Sequence, residues 1–282
     1  MKRGSLVREF AAGEILRVEV VGGASDISLH AEEGKARAEI HYTIHGWGSL
    51  AEMRERELLA NPPVRLLDGT LRVGPEPEGV DLDYVLFLPP EAEVEVEVGS
   101  GDVQASGFSK SVRIRTGSGD IDLTRVSGEI HVRCGSGDIR LRQVFGAVFA
   151  CTGSGDLDGR ELKGHIDVET GSGDVSFKDA EGEIRILTGS GDVEVEGILT
   201  EETWRIRTGS GDVHLALAEP LEAEILLRTE FGDLDCEFAL SAEEVREGRL
   251  KGRIGEKTKA RIWVETATGD IALTKKGGPK WR

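Results

Sequence analysis

Gly117-Ser118-Gly119-Asp120-Ile121-Asp122-Leu123-Thr124-Arg125-Val126-Ser127-Gly128-Glu129-Ile130-His131-Val132-Arg133-Cys134 is the stretch that decides the fold. Ile121 and Leu123 are two residues apart, and so are Ile130 and Val132. That spacing puts both members of a pair on one face of a strand. The stretch reads as two short strands, each apolar on one face. One turn falls at Gly-Ser-Gly-Asp and another near Gly128.

The turn recurs along the chain. Gly-Ser-Gly-Asp starts at Gly99, Gly117, Gly135, Gly153, Gly171 and Gly189, 18 residues apart each time, and at Gly209 after a longer interval. Two worn copies follow, Phe231-Gly232-Asp233 and Thr268-Gly269-Asp270. The position after the aspartate reads Val103, Ile121, Ile139, Leu157, Val175, Val193, Val213, Leu234, Ile271. The last position of the unit reads Thr116, Thr152, Thr170, Thr188, Thr208, Thr229, Thr266, with Cys134 as the exception.

One such unit cannot bury its apolar face alone, but stacked units form a continuous core. The expected fold class is therefore all-β, a β-solenoid of 18-residue coils with parallel strands between coils, about 4.8 Å apart. Parallel crossovers favour the right-handed form, a β-helix. An antiparallel meander, with the glycine turns as hairpins, is the competing topology. It fits less well, because identical turns recur once per unit and not alternately.

Working outward, residues 1–92 read as an irregular, strand-rich part continuous with the solenoid. Leu16, Val18 and Val20 alternate, and Gly22-Gly23-Ala24-Ser25-Asp26 leads into Ile27 and Leu29, a degenerate first coil. Strands are expected at 39–44, 71–73, 80–88 and 94–98. Ser49-Leu50-Ala51-Glu52 has the form of a capping box. It predicts a helix carrying Leu50, Met53 and Leu58, stopped by Pro62-Pro63. Such a helix serves as an end cap or side packing; a partner-binding helix is the sharper reading. Ser241-Ala242-Glu243-Glu244 predicts a second short helix. Residues 93–275 form the repeats, one domain with the part before them, and 276–282 a basic tail.

Composition bounds the function. A net charge of −17 argues against nucleic acid and against anionic lipid. Cys134, Cys151 and Cys236 form no Cys-x-x-Cys pair, as in a reducing compartment. No apolar leader follows Met1 and no run of about 18 apolar residues exists, so the expected location is cytoplasmic, with peripheral envelope association left open. A single asparagine, Asn61, beside abundant Glu and Arg leans toward a thermophile.

Repeated Thr-Gly-Ser-Gly-Asp-φ-x-φ (φ apolar), an irregular N-terminal strand region and a final Thr-x-x-Gly-Asp-Ile-x-Leu resemble the bacterial "putative adhesin" family of β-strand-repeat proteins. The resemblance covers roughly residues 12 to 275. It implies a β-helical fold and a role in cell-envelope stress or surface interaction, and it brings no catalytic residues.

Three constellations are candidates for chemistry. The first is the aspartate column, Asp102, Asp120, Asp138, Asp156, Asp174, Asp192, Asp212, Asp233 and Asp270. Carboxylates about 5 Å apart repel by roughly 0.8 kcal/mol even in bulk water, so something must offset the repulsion. The plain reading is a structural turn ladder, each carboxylate accepting N–H groups of its own turn or a nearby hydroxyl. The sharper one is weak calcium binding, as in β-rolls, although only one half-turn here carries Asp; a melting shift between calcium and chelator would show it. The second is a carbohydrate-active β-helix, lyase or hydrolase, built on pairs such as Asp120/Asp122 and Asp156/Asp158. Against it, Arg140 alternates with Asp122 and Asp158, as in a cross-coil ion ladder. His41 and His45 lie on an expected strand and form no helical ligand pair. No phosphate loop, catalytic residue, metal site or cofactor site is expected.

The third is a surface patch. Outward positions are mostly charged, as at Arg113, Arg115, Arg133, Arg205 and Arg207, but turn apolar at Phe145, Phe149 and Leu187. An apolar island on a charged face implies a cover. The expected cover is the helix at Ser49; a protein partner or a second copy is the alternative. The resulting expectation is a non-enzymatic scaffold or interaction module.

Overall fold

The computed structural model describes residues 1–277. The chain is mostly β, with one α-helix among the described residues. It packs as two compact units, Met1–Gly137 and Asp138–Arg282.

In the second unit the 18-residue period becomes strand register. Ile139–Thr152 pairs in parallel with Leu157–Thr170, which pairs in parallel with Val175–Ser190, with Ile139 opposite Leu157 and Leu157 opposite Val175. The same inward positions are buried in each coil: Leu157, Leu162, Ile166 and Val168 in one, Val175, Phe177, Ala180, Ile184 and Ile186 in the next. Burying such a side chain fully contributes about 1.5–3 kcal/mol. A one-residue slip would turn a whole coil inside out, so the apolar columns fix the register.

The two short strands expected per unit stay separate in some coils, as at Val103–Ser106 and Val112–Thr116, and run together as one long strand with two bends in Ile121–Cys134, Ile139–Thr152, Leu157–Thr170 and Val175–Ser190. The first bend is at Arg125, Gln143, Glu161 and Asp179, all left-handed with φ of 54 to 56°. The second is at the recurrent glycine, as at Gly164, φ +129°. A Cβ on Gly164 would run into the carbonyl of Gly146. These four coils bend at the same places, so pairing resumes beyond each bend: Arg142 faces Arg160 and Val144 faces Leu162, with Gln143 and Glu161 left out.

Spatial order departs from chain order. Thr203–Ser210 pairs with Ala260–Thr268, and Ala260–Thr268 with Ala223–Phe231, all in parallel. The last coil of the chain thus inserts between two earlier ones. Arg249–Ile254 then lies antiparallel on Ala223–Phe231, and Leu240–Arg246 antiparallel on Arg249–Ile254.

The first unit has the same plan in reverse. Arg17–Gly22 sits between Thr70–Val73 and Glu93–Val98, and Ile27–Ala31 between Val80–Leu88 and Val103–Ser106. Val64–Leu67, Arg37–Ile44 and Lys2–Glu9 add antiparallel strands outside these. Antiparallel hairpins occupy edges that would otherwise template aggregation. The strands at 2–9 and 64–67 were outside the expectation, and the degenerate coil at 16–29 is an inner rung, not the first.

Two expectations about helices need correction. The segment at Ser241 is strand, because Gly248 at φ +67° turns it back onto Arg249–Ile254 and the sheet edge satisfies its backbone. A run this short cannot repay helix nucleation. The helix α1, Ser49–Ala60, exists, but Gly48 and not Ser49 is its N-cap, and no side chain caps it. Its buried residues are Ala51 and Leu58, while Leu50 and Met53 are exposed. Pro62-Pro63 follows its end as expected. The basic tail lies outside the described residues from position 278 on. Among the described residues no helix is long and apolar enough to cross a membrane.

Candidate functional site

The repeated turn is held by two side chains. Thr170 is buried, donates its hydroxyl to the carbonyl of Gly155 at 3.1 Å and accepts the N–H of Gly173 at 3.1 Å. One hydroxyl thereby ties the turn before its strand to the turn after it. Thr116 does the same between Gly101 and Gly119. Cys134 substitutes its thiol, donating to Gly119 O at 3.1 Å and accepting from Gly137 N at 2.8 Å. The buried glycine is obligatory for space: a Cβ on Gly173 would overlap the carbonyl of Gly155.

The aspartates act one coil further on. Oδ1 of Asp156 accepts the backbone N–H of Asp174, Asp174 that of Asp192, and Asp192 that of Asp212, at 2.8 to 2.9 Å. Asp138 holds Asp156 at 3.0 Å. The outer rungs follow space and not sequence: Asp212 accepts from Asp270, and Asp270 from Asp233, both at 2.8 Å. In the first unit Asp83 accepts from Asp26, Asp26 from Asp102 and Asp102 from Asp120. The donor thus comes from the neighbouring coil, where the carboxylate's own turn was expected to supply it. Asp26 and Asp83 join a column in which the sequence period did not include them.

The second acidic column is mixed in charge. Arg140 stands opposite Asp158 and pairs with Asp138 at 2.8 Å. Asp122 sits opposite Gln104 and receives the hydroxyl of Thr124 at 3.2 Å. His45 pairs with Asp81 at 2.6 Å, and His41 sits opposite Asp83.

The apolar patch does not assemble. Phe145 and Phe149 are 41 % and 36 % exposed, with the Gly146 bend between them. Phe149 lies beside Asp167 and packs on His165, ring centroids 5.8 Å apart. Leu187 lies in another column beside Glu169. Arg185 bridges Asp167 at 2.6 Å and Glu169 at 3.1 Å, so an ion-pair group stands between the two apolar side chains. Those bonds, Asp167 first, raise the Arg185 pKa above its ordinary value. Helix α1 packs within the first unit, where Tyr42 donates to Glu55 at 2.9 Å and Lys2 pairs with Glu55.

A feature that the repeat columns hide is a cleft on the outward face of the second unit, about 300 Å³ in volume. Trp263 stands in it, 42 % exposed, with Arg205 opposite it on one side and Leu226 on the other. The Arg205 guanidinium lies 5.1 Å from the Trp263 ring centre. Trp263 is an outward position in a strand whose place in the sheet depends on the non-sequential order, which is why sequence spacing did not bring it beside Leu226.

Solved structures similar to this chain include a putative cell adhesion protein of Clostridium sporogenes, 12 % identical, TM-score 0.31, covering 98 % of this chain and 100 % of that one. A putative adhesin of Bacteroides fragilis is 12 % identical at TM-score 0.45, covering 96 % and 97 %. A putative lipid binding protein of Parabacteroides distasonis is 13 % identical at TM-score 0.43, with the same coverage. No curated protein matches. The sequence profile of the family described as Toastrack DUF4097 matches residues 90–160 and again 147–274, well over half of the chain. With the repeated turn, the parallel register and that match together, the chain belongs to the Toastrack DUF4097 family.

Proposed function

We propose that the chain is a non-enzymatic interaction and scaffold module, adhesin-like, in which each unit winds as a right-handed β-solenoid of 18-residue coils. One observation carries this reading: the recurring carboxylates repeat one contact, Oδ1 of Asp138, Asp156, Asp174 and Asp192 each accepting the N–H of the aspartate on the neighbouring coil. General acid–base chemistry needs two carboxylates whose surroundings push them apart. A ladder of carboxylates each bonded to backbone in the same way supports a turn-shaping role instead. Its work is then contact with other molecules, in surface interaction or envelope stress, and its charged outward columns are the surface presented.

Release of reducing ends from pectin, alginate and xylan tests the reading. None is expected. Release that Asp156→Asn abolishes would make the chain a carbohydrate-active enzyme. Sedimentation of wild type against Phe149→Glu tests the patch. Two phenylalanines divided by a bend offer far less than the roughly 800 Å² per partner that a stable interface buries, so both proteins should be monomers. A wild-type dimer that the substitution dissociates would make the second copy the partner.

A further inference from the structure

We propose that the Trp263 cleft binds an acidic oligosaccharide, a chain of carboxylated sugar rings; this names a ligand class for the interaction module and rests on that reading. Four adjacent strands build the site. Arg205 faces Trp263, Trp263 faces Leu226, and Leu226 faces Lys251, so the four form one row across the sheet. Three strand spacings separate the cations at its ends, roughly 14 Å. Arg261 and Glu224 face each other in the neighbouring row of the same cleft.

The chemistry of the row selects the ligand. An exposed indole beside a leucine offers a flat apolar surface, which suits the C–H face of a pyranose ring. Cations flank that surface in a chain whose net charge is −17. Glu224 lies 3.9 Å from both Lys251 and Arg261 and offsets part of their charge. Among the described residues Arg205 has no carboxylate partner and lies over the indole. With the guanidinium over the ring face and no carboxylate on it, its N–H donors stay available, in the fork that matches a carboxylate. The row is thus apolar at its centre and cationic at its ends, with Arg205 the cation that lacks a carboxylate, over a length of several linked rings and not of one.

A protein partner fits less well. The apolar centre is limited to Trp263 and Leu226, and stable protein interfaces need a wider apolar core. A volume near 300 Å³ lies at the small-ligand end of binding sites.

Calorimetric titration of the full chain with trigalacturonate tests the proposal, with maltotriose as the neutral probe and tripolyphosphate as an anion without sugar rings. Wild type should bind trigalacturonate and neither of the others. Trp263→Ala and Arg205→Gln should each weaken that binding at least tenfold without moving the melting temperature. Should either variant fail to fold, Trp263→Phe and Lys251→Gln take its place, each expected to weaken binding several-fold. Three results would each overturn the assignment: no binding by folded wild type, undiminished binding by the folded variants, or either control probe binding as well as trigalacturonate. Chromatography of the recovered trigalacturonate separates the two readings: cleaved sugar sinks the non-enzymatic module while leaving the cleft a sugar site, and intact but unbound sugar sinks only the cleft.

Discussion

Thr170→Val isolates what the threonine column does. The two side chains have nearly the same shape, so packing in the coil is preserved and only the hydroxyl is lost. In the wild type that hydroxyl serves two backbone groups, Gly155 C=O and Gly173 N–H, both at 3.1 Å. Thr170 is 5 % exposed and both glycines are buried, so water has little access to replace it. A buried polar group left without its partner costs about 1–3 kcal/mol. Two such groups, partly relaxed, set the expected loss at about 2–4 kcal/mol. At about 2–4 °C per kcal/mol for a domain of this size, the melting temperature should fall by roughly 4–16 °C. Stacked repeats unfold locally as well as globally. Hydrogen exchange at the Gly173 amide should therefore accelerate more than at Ile139, whose amide donates to Asp156 O at 2.9 Å. Thr170→Ser keeps the hydroxyl and loses a methyl, and should cost only about 1 kcal/mol. The reasoning fails if Val is tolerated within about 0.5 kcal/mol, or if Ser is as damaging as Val.

Cys134→Thr should raise stability by about 0.5–1 kcal/mol, since a hydroxyl is the better partner for Gly119 O and Gly137 N; denaturant titration reads it, and a loss would mean the thiol's size is needed there. Asp174→Ala should cost about 1 kcal/mol through the orphaned Asp192 N–H, whereas Asp174→Asn keeps an acceptor, relieves repulsion from its neighbours and should be neutral or stabilising. Equal damage from both, or a melting shift between calcium and chelator that Asn removes, would assign the column to cations. Lys276 bonds Asp179 at 2.7 Å and Glu196 at 3.2 Å; the Asp179 bond chiefly lowers the Asp179 carboxyl pKa and raises that of the Lys276 ammonium. The clasp's contribution is therefore full between the ordinary carboxyl and ammonium values, about pH 4 to 10. It disappears as pH falls through the lowered Asp179 value or rises through the raised Lys276 value. NMR titration of Asp179 should move up in Lys276→Ala, and an unmoved titration would show the bond absent in solution.

What was legible in the sequence is whatever the period repeats. Ile121, Leu123, Val126, Ile130 and Val132 declare an inward face because side-chain direction alternates along a strand, and every copy declares it again. The bend at Arg125, Gln143, Glu161 and Asp179 escaped because three of the four residues there lack the left-handed preference that Asp179 has. The penalty of about 1–2 kcal/mol for each is sustained by the coils on either side, not by local chemistry. Helix α1 was legible from the Ser49-Leu50-Ala51-Glu52 pattern and Pro62-Pro63, while its N-cap was assigned to the wrong residue because Gly48 offers no side chain to read. The capping-box pattern at Ser241 failed for the opposite reason: a local helix signal met a sheet edge that could satisfy its backbone at once.

The order of the rungs was hidden for a reason that bears on the site itself. A column of valines and isoleucines accepts any neighbour from the same column, so Ile271 fits as well between Val213 and Leu234 as it would beyond Leu234. Inward positions are interchangeable, and outward ones are not. Placing Ala260–Thr268 next to Thr203–Ser210 is what sets Trp263 against Arg205, and the hairpin at 240–254 is what brings Lys251 across Leu226. In sequential order Leu226 would face Arg205 directly and the indole would lie at the far side, without the guanidinium over it. The hairpin that closes the sheet edge therefore also supplies one end of the cleft, and the core's indifference to order leaves the outward face free to differ from coil to coil.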